Sequence, residues 1–202
     1  MAKVVSTMFI SLDGVAEIDP AWHFPYFDDR MGAVVGKDYE DVDVLVLGRE
    51  TYDSFAGAWP GREQAGGEDA TFAAQLGDTR KVVATRGDQD LGWRNVERTA
   101  DVLATVRALK DDPAVGKILL AGSISIVRQL LAAGLLDELS LLVHPVAARS
   151  GERLFGETET VQPLALLHSE ALPTGVVHLV YAPAELPGAA TYEDAKEHLP
   201  DA

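Results

Sequence analysis

The sequence predicts one α/β domain: a mainly parallel sheet with helices on both faces and an antiparallel edge. Three observations carry this. Short apolar, β-branched runs at 4–10, 42–47, 81–85, 117–121 and 138–146 alternate with segments of helical periodicity. The last two runs, 164–171 and 176–181, are separated only by Pro173-Thr174-Gly175, which reads as a hairpin turn. The chain has 202 residues, 47% of them hydrophobic, enough to bury one core.

Each element follows from its residues. Residues 4–10 form a strand buried on both faces, ended by the turn signal Leu12-Asp13-Gly14. Residues 15–26 read as a loop, because Asp19-Pro20 breaks regular structure, and Trp22, Phe24, Tyr26 and Phe27 cluster there. Met31, Val34, Val35 and Tyr39 have helical spacing, with Asp28 or Asp29 at the N-terminus. The strand 42–47 runs into Gly48-Arg49-Glu50-Thr51-Tyr52, the start of a short helix, and a polar Gly-rich loop follows from Pro60 to Asp69. Thr71 to Leu76 adds a helical turn or two. Strands follow at 81–85 and 96–98. Val102, Leu103, Val106 and Leu109 mark an amphipathic helix closed by Pro113 and Gly116. After the strand 117–121, Gly122-Ser123 opens a helix from Ile124 to Ala133, with Gly134 as its C-terminal glycine. Residues 1–183 are read as the domain and 184–202 as an acidic extension with a short helix over Tyr192 to Leu199.

Composition removes several function classes. There is no cysteine, which excludes disulfides, thiolate catalysis and Cys-ligated metals. The five histidines show no ligand spacing, so no metal is expected. The net charge of −15 opposes nucleic acid as a partner and requires any phosphate site to be built locally. No window has the roughly 20 apolar residues a membrane helix needs, and the N-terminus has no secretory pattern. A cytoplasmic protein is expected.

Two segments share one construction: a buried strand, a glycine with a hydroxyl or Arg, then a helix. They are Leu47-Gly48-Arg49-Glu50-Thr51 and Ala121-Gly122-Ser123-Ile124-Ser125. Helix starts offer unpaired N–H donors and partial positive charge, and glycine admits a phosphate close to the backbone. Each segment alone is served equally well by a tight turn with Ser123 or Thr51 as a cap. Together they suit a pyrophosphate held between two helix starts. Thr85-Arg86 follows the third strand, where a hydroxyl and a guanidinium can hold a ribose 2′-phosphate and select NADPH, unless Arg86 is simply a solvated loop residue. Asp13 is a candidate for relaying a proton or orienting substrate, or else the anchor of its own turn. Trp22, Phe24, Phe27 and Trp59 can wall a pocket for a flat ring or cap the core.

Gly48-Arg49-Glu50-Thr51-Tyr52-Asp53-Ser54, then Val82-Val83-Ala84-Thr85-Arg86, then Ile118-Leu119-Leu120-Ala121-Gly122-Ser123 resembles the ordered motif set of the dihydrofolate reductase-like superfamily. Ser11-Leu12-Asp13-Gly14 and Gly151-Glu152-Arg153-Leu154-Phe155 are similar to a bacterial branch that includes the reductase domain of the bifunctional riboflavin-biosynthesis deaminase–reductase. The resemblance covers roughly residues 3–182. It implies a mixed, mostly parallel sheet of about eight strands in a three-layer fold, NADPH as cofactor, and a homodimer. It places Gly48, Arg49 and Thr51 on one side of the pyrophosphate and Gly122, Ser123 and Ile124 on the other. Thr85 and Arg86 fall at the 2′-phosphate, Ala16 beside the nicotinamide, and Asp13 at the reaction site. The expected function is NADPH-dependent reduction of a small pteridine- or pyrimidine-like heterocycle. The alternatives are a non-catalytic nucleotide-binding or sensory protein, and a true dihydrofolate reductase. Against the last, Asp28 and Asp29 stand near the first helix with no flanking motif to register either as the pterin-binding acid.

Overall fold

The computed structural model describes residues 1–156, 161–189, 191–196 and 198. Strand β1 (Lys3–Ser11) is followed by a helical turn α1 (Pro20–His23), a 3-10 turn over Phe24–Tyr26, and α2 (Asp29–Asp38). Then come β2 (Val44–Gly48), α3 (Arg49–Ala65), α4 (Ala70–Asp78), β3 (Arg80–Ala84) and β4 (Val96–Thr99). The second half contains α5 (Val102–Asp111), β5 (Lys117–Ala121), α6 (Ile124–Ala132), β6 (Glu138–His144), β7 (Leu164–Ala171), β8 (Val177–Pro183) and α7 (Tyr192–Lys196).

All eight strands join one sheet in the order β4-β3-β2-β5-β1-β6-β8-β7. Pairings from β4 across to β6 are parallel, and β8 runs antiparallel to both β6 and β7. This is the predicted architecture, with the hairpin at the edge. The central strands are buried along nearly their whole length, as the continuous apolar runs of 44–47 and 118–120 require. One large core covers the face packed by α5 and α6, and two smaller clusters lie under α2, α3 and α4.

Local signals fix the helix ends. Asp28 accepts from Met31 N–H at 2.8 Å and Asp101 from Ala104 N–H at 3.0 Å, caps worth about 1 kcal/mol each. Gly134, at φ 63°, sits just past the end of α6, where the left-handed conformation favours glycine.

Two expectations are corrected. The helix at residue 49 is not short: α3 has 17 residues and continues through Pro60 into the stretch read as loop. Pro60 removes a backbone donor, yet Phe55, Ala56 and Trp59 pack on the core beneath, and Arg94 holds Glu63 through both carboxylate oxygens. Tertiary packing outweighs the local breaker. Within 15–26, Asp19 caps a helical turn through a 2.8 Å bond to Ala21 N–H. In the acidic extension, the helix runs to Lys196, and residues 197 and 199 of the expected span lie outside the described residues. No described helix is long and apolar enough to cross a membrane.

Candidate active site: a cleft at the strand ends

Parallel strands that feed helices deliver their C-terminal ends, and the following helix starts, to one edge of the sheet. A cleft of about 1130 Å³ lies there. Gly48, Arg49, Thr51, Thr85, Arg86, Gly122, Ser123, Ile124 and Ala16 all line it. Because β2 pairs directly with β5, the helices α3 and α6 start side by side.

Ser123 joins the two starts. Its hydroxyl accepts from Gly48 N–H at 2.6 Å and lies 2.9 Å from the Thr51 hydroxyl. It therefore does not cap α6. Its backbone is left-handed, at φ 64°, a conformation a non-glycine residue adopts at some energetic cost. A side chain at position 48 would meet Ser123 Oγ at 2.9 Å, so the close approach requires glycine. With Ser123 engaged across the cleft, neither helix start has a side-chain cap; at α6 the carbonyl of Ser123 accepts from Ile126 N–H at 2.8 Å, which leaves the N–H groups of Ile124 and Ser125 without an intrahelical acceptor.

The cations are arranged differently. Arg49 is held by Asp53, with Nε 2.8 and 2.9 Å from the two carboxylate oxygens, while its Nη1 is buried with no protein partner. Arg86 is exposed at the rim with no ion pair among the described residues. Beside it, Thr85 Oγ1 accepts from Gly87 N–H at 3.1 Å. Ala100 to Leu103, at the start of α5, complete this end.

The other half of the cleft was not read from the sequence. Thr7 and Phe9, two apart on β1 and so on one sheet face, line it together with Glu17, Ile18, Val35, Tyr39, Ser54 and Phe55. The alternation of β1 could have indicated Thr7 and Phe9. Nothing local distinguishes Val35 or Tyr39 from ordinary helix residues facing a core.

The family model for the RibD C-terminal domain matches residues 2–178. The chain belongs to the RibD C-terminal domain family. The uncharacterized protein YyaP of Bacillus subtilis (strain 168) is 24% identical over 190 residues, covering 89% of this chain and 94% of that protein. Among solved structures, a protein assigned to riboflavin biosynthesis from Shewanella sp. PV-4 has a TM-score of 0.68 at 19% identity, covering 92% of this chain and all of that one. A pyrimidine reductase-like protein of Corynebacterium diphtheriae has a TM-score of 0.64 at 16% identity, over 91% of this chain and 92% of that one. Acinetobacter baumannii RibD has a TM-score of 0.64 at 14% identity, and the match spans 58% of its chain. These structures share the dihydrofolate reductase-like fold expected from the motifs.

Within this RibD-type domain, the remaining expected residues lie away from the cleft lining. Asp13 is fully engaged: its carboxylate accepts from the Ser11 hydroxyl at 2.6 Å and from the N–H groups of Ala148 and Arg149 at 2.9 Å each. The Ser11 and Arg149 bonds stabilise the carboxylate and pull its pKa down to about 2. Asp13 thus pins the 148–149 loop to the end of β1, and the geometry does not support it as a proton relay. Trp59 packs edge-on against Phe72 and Phe55. Trp22, Phe24 and Phe27 surround the buried His23 rather than the cleft.

The histidines form two groups. His23 Nδ1 lies 3.2 Å from His144 Nε2, and His144 Nδ1 lies 3.0 Å from the carbonyl of Leu142. The carbonyl can only accept, so His144 carries its proton on Nδ1 and His23 donates to it. Burial pushes His23 down to about 4 and lowers His144 as well, so both stay neutral. On the edge hairpin, His168, Glu170 and His178 each bring a ligand-type atom within 4.8 Å of the others. Glu170 there is the partner of Arg30, at 2.5 and 3.2 Å, and His178 Nε2 bonds Ser140 Oγ at 2.9 Å. These contacts account for the grouping without a metal.

Proposed function

We propose that the protein is an NADPH-dependent oxidoreductase acting on a small heterocycle of the pteridine or pyrimidine type. One observation carries the reading: Ser123 joins two uncapped helix starts in one cleft that also holds Arg49 and Arg86. The residues fit a phosphorylated dinucleotide. The buried, unpartnered Nη1 of Arg49 lacks an acceptor that a phosphate oxygen would supply. Gly48 and Gly122 keep Cβ atoms out of the space between the turns.

Gly48, Arg49, Thr51, Gly122, Ser123 and Ile124 would hold the pyrophosphate, and Thr85 with Arg86 the 2′-phosphate. Ala16 would border the nicotinamide. When bound, NADPH supplies a hydride. The chain orients the partners and shields them from solvent with Phe9, Ile18, Val35 and Phe55. With Asp13 held ionised and outside the lining, the proton reaches the substrate from water. Support for a reductase comes from the family and from the pyrimidine reductase-like structural neighbour.

Titration of protein fluorescence with NADPH tests the reading. Saturation in the micromolar range is expected, and no binding at millimolar cofactor would overturn it. A second reading, a nucleotide-binding sensor without turnover, is favoured by the absence of an expected acid from the lining. Loss of absorbance at the nicotinamide band with any of a panel of pteridines, ribityl pyrimidines or quinones rejects it. A true dihydrofolate reductase has less support: the Asp28 carboxylate caps α2, and neither Asp28 nor Asp29 lines the cleft. Tight methotrexate binding would reinstate it. The proposal includes a homodimer, since β7 is an edge strand with Leu166 and Leu167 exposed, and light scattering gives the mass.

A further inference from the structure

We propose that the substrate is an uncharged, phosphate-free heterocycle with a polar edge, bound by the hydroxyls of Thr7, Tyr39 and Ser54. This rests on the reading of the cleft as a joint cofactor and substrate site.

The two halves of the cleft differ in where their cations lie. Among the described residues that line it, Arg49 and Arg86 are the basic ones, and both stand at the half built from the helix starts, beside the carboxylates of Glu50 and Asp101. A dinucleotide with a pyrophosphate and a 2′-phosphate would engage both. The half bounded by β1, α2 and α3 has no lining Lys or Arg among the described residues, and it carries the carboxylate of Glu17. Of the arginines beside this half, two are committed elsewhere, and Arg149, whose N–H meets Asp13, is exposed and outside the lining. Arg153 reaches the carbonyl and carboxylate of Asp13, and Arg128 bonds the carbonyl of Leu154 and the carboxylate of Glu152. A phosphate in this half would lose its hydration and meet a like charge with no counter-ion, which discriminates strongly against it.

What this half offers instead is neutral hydrogen bonding between apolar walls. Phe9, Ile18, Val35 and Phe55 supply the walls. Thr7, Tyr39 and Ser54 line the space, and their hydroxyls have no hydrogen-bond partner among the described residues. None of the three is a fully enclosed orphan either, so each reaches open volume. Tyr39 is 5% exposed, and its ring is fixed edge-on to Phe72 at 5.0 Å between centroids. Burial, with the neighbouring Asp38 charge, raises its pKa well above the ordinary phenol value, so it remains a donor at any working pH. Three hydroxyls that both donate and accept suit the alternating N–H, C=O and ring nitrogen of a flat heterocycle.

The test uses a matched pair, a ribityl-aminopyrimidine and its 5′-phosphate, titrated calorimetrically into the full protein with and without NADP⁺. The phosphate-free compound is expected to bind at least about tenfold more tightly. Equal or tighter binding of the phosphate, or no binding of either at 1 mM, overturns the proposal. Tyr39→Phe, with its melting temperature checked, is expected to weaken the phosphate-free ligand about tenfold and leave NADPH affinity unchanged. Retention of full ligand affinity in Tyr39→Phe, Thr7→Val and Ser54→Ala together overturns it as well. Glu17→Lys should bring the phosphorylated compound to parity. If NADPH itself fails to bind, the cofactor reading falls, while the affinity ratio of the matched pair still decides this inference.

Discussion

The turns around Gly48 and Gly122 and the aromatic loop around His23 both stand out as candidate binding elements in the sequence, yet the fold uses them in opposite ways. At the turns, polar groups are left without partners among the described residues: two helix starts with no side-chain cap, the buried Nη1 of Arg49, and Arg86, which has no ion pair. In the loop, polar groups satisfy one another. His23 donates to His144, which donates to Leu142, and the rings of Phe9, Trp22, Phe24 and Phe27 enclose His23. A buried polar group with an internal partner belongs to the core, whereas one without a partner points to a ligand. Phe9 belongs to both regions, since it lines the cleft and its ring centroid lies 4.3 Å from that of His23.

Four measurements can break or sharpen this contrast. The largest effect is expected from Gly48→Val, which drives a side chain into Ser123 Oγ at 2.9 Å. NADPH affinity should fall by at least about 100-fold in a fluorescence titration. A change under threefold would mean the turn is an ordinary one.

The next effect concerns the histidine pair. Burial holds His23 at about 4 when folded, against 6.5 when exposed. The unfolded chain therefore takes up a proton first. Stability is fully present above pH 6.5 and is lost as pH falls toward 4, by roughly 2–3 kcal/mol. Urea unfolding across this range should show the slope, and His23→Phe should flatten it. A wild-type profile already flat between 6.5 and 4 would show that the pair is not held neutral.

Arg86→Gln should weaken NADPH about tenfold and leave NADH unchanged, as expected for loss of one charge-assisted contact to the 2′-phosphate. An equal loss for both cofactors would remove the residue from that role. The smallest effect belongs to Trp59→Leu. Its ring packs on Phe72 and Phe55, so cofactor affinity should stay within about twofold while the melting temperature falls. A large loss of affinity would return Trp59 to the pocket.

Much of the fold was legible because it is written in short-range patterns. Alternating apolar runs located the strands, helical spacing located the helices, and an aspartate at 28 or 29 marked the start of α2, where Asp28 is the cap. The two glycine turns that line the cleft were legible for a related reason: a glycine between strand and helix is a backbone requirement that neighbouring residues display. Asp13 misled because its spacing from Gly14 shows a turn but not the partners of the carboxylate, which arrive from Ala148 and Arg149. Likewise, Pro60 signalled a break that packing on Phe55 and Trp59 overrode.

The sequence by itself determined the strand order along the chain, the helix starts and the glycines at the two strand-to-helix turns. Only the tertiary structure decided which side chains face the cleft. It buried His23 under the aromatic loop while leaving Phe24 and Phe27 exposed, brought Thr7, Tyr39 and Ser54 together from β1, the end of α2 and α3, and committed Asp13 to a loop. The physical reason is range. Backbone conformation is set by a residue and its near neighbours, whereas the direction and pairing of a side chain depend on groups that may be more than a hundred residues away.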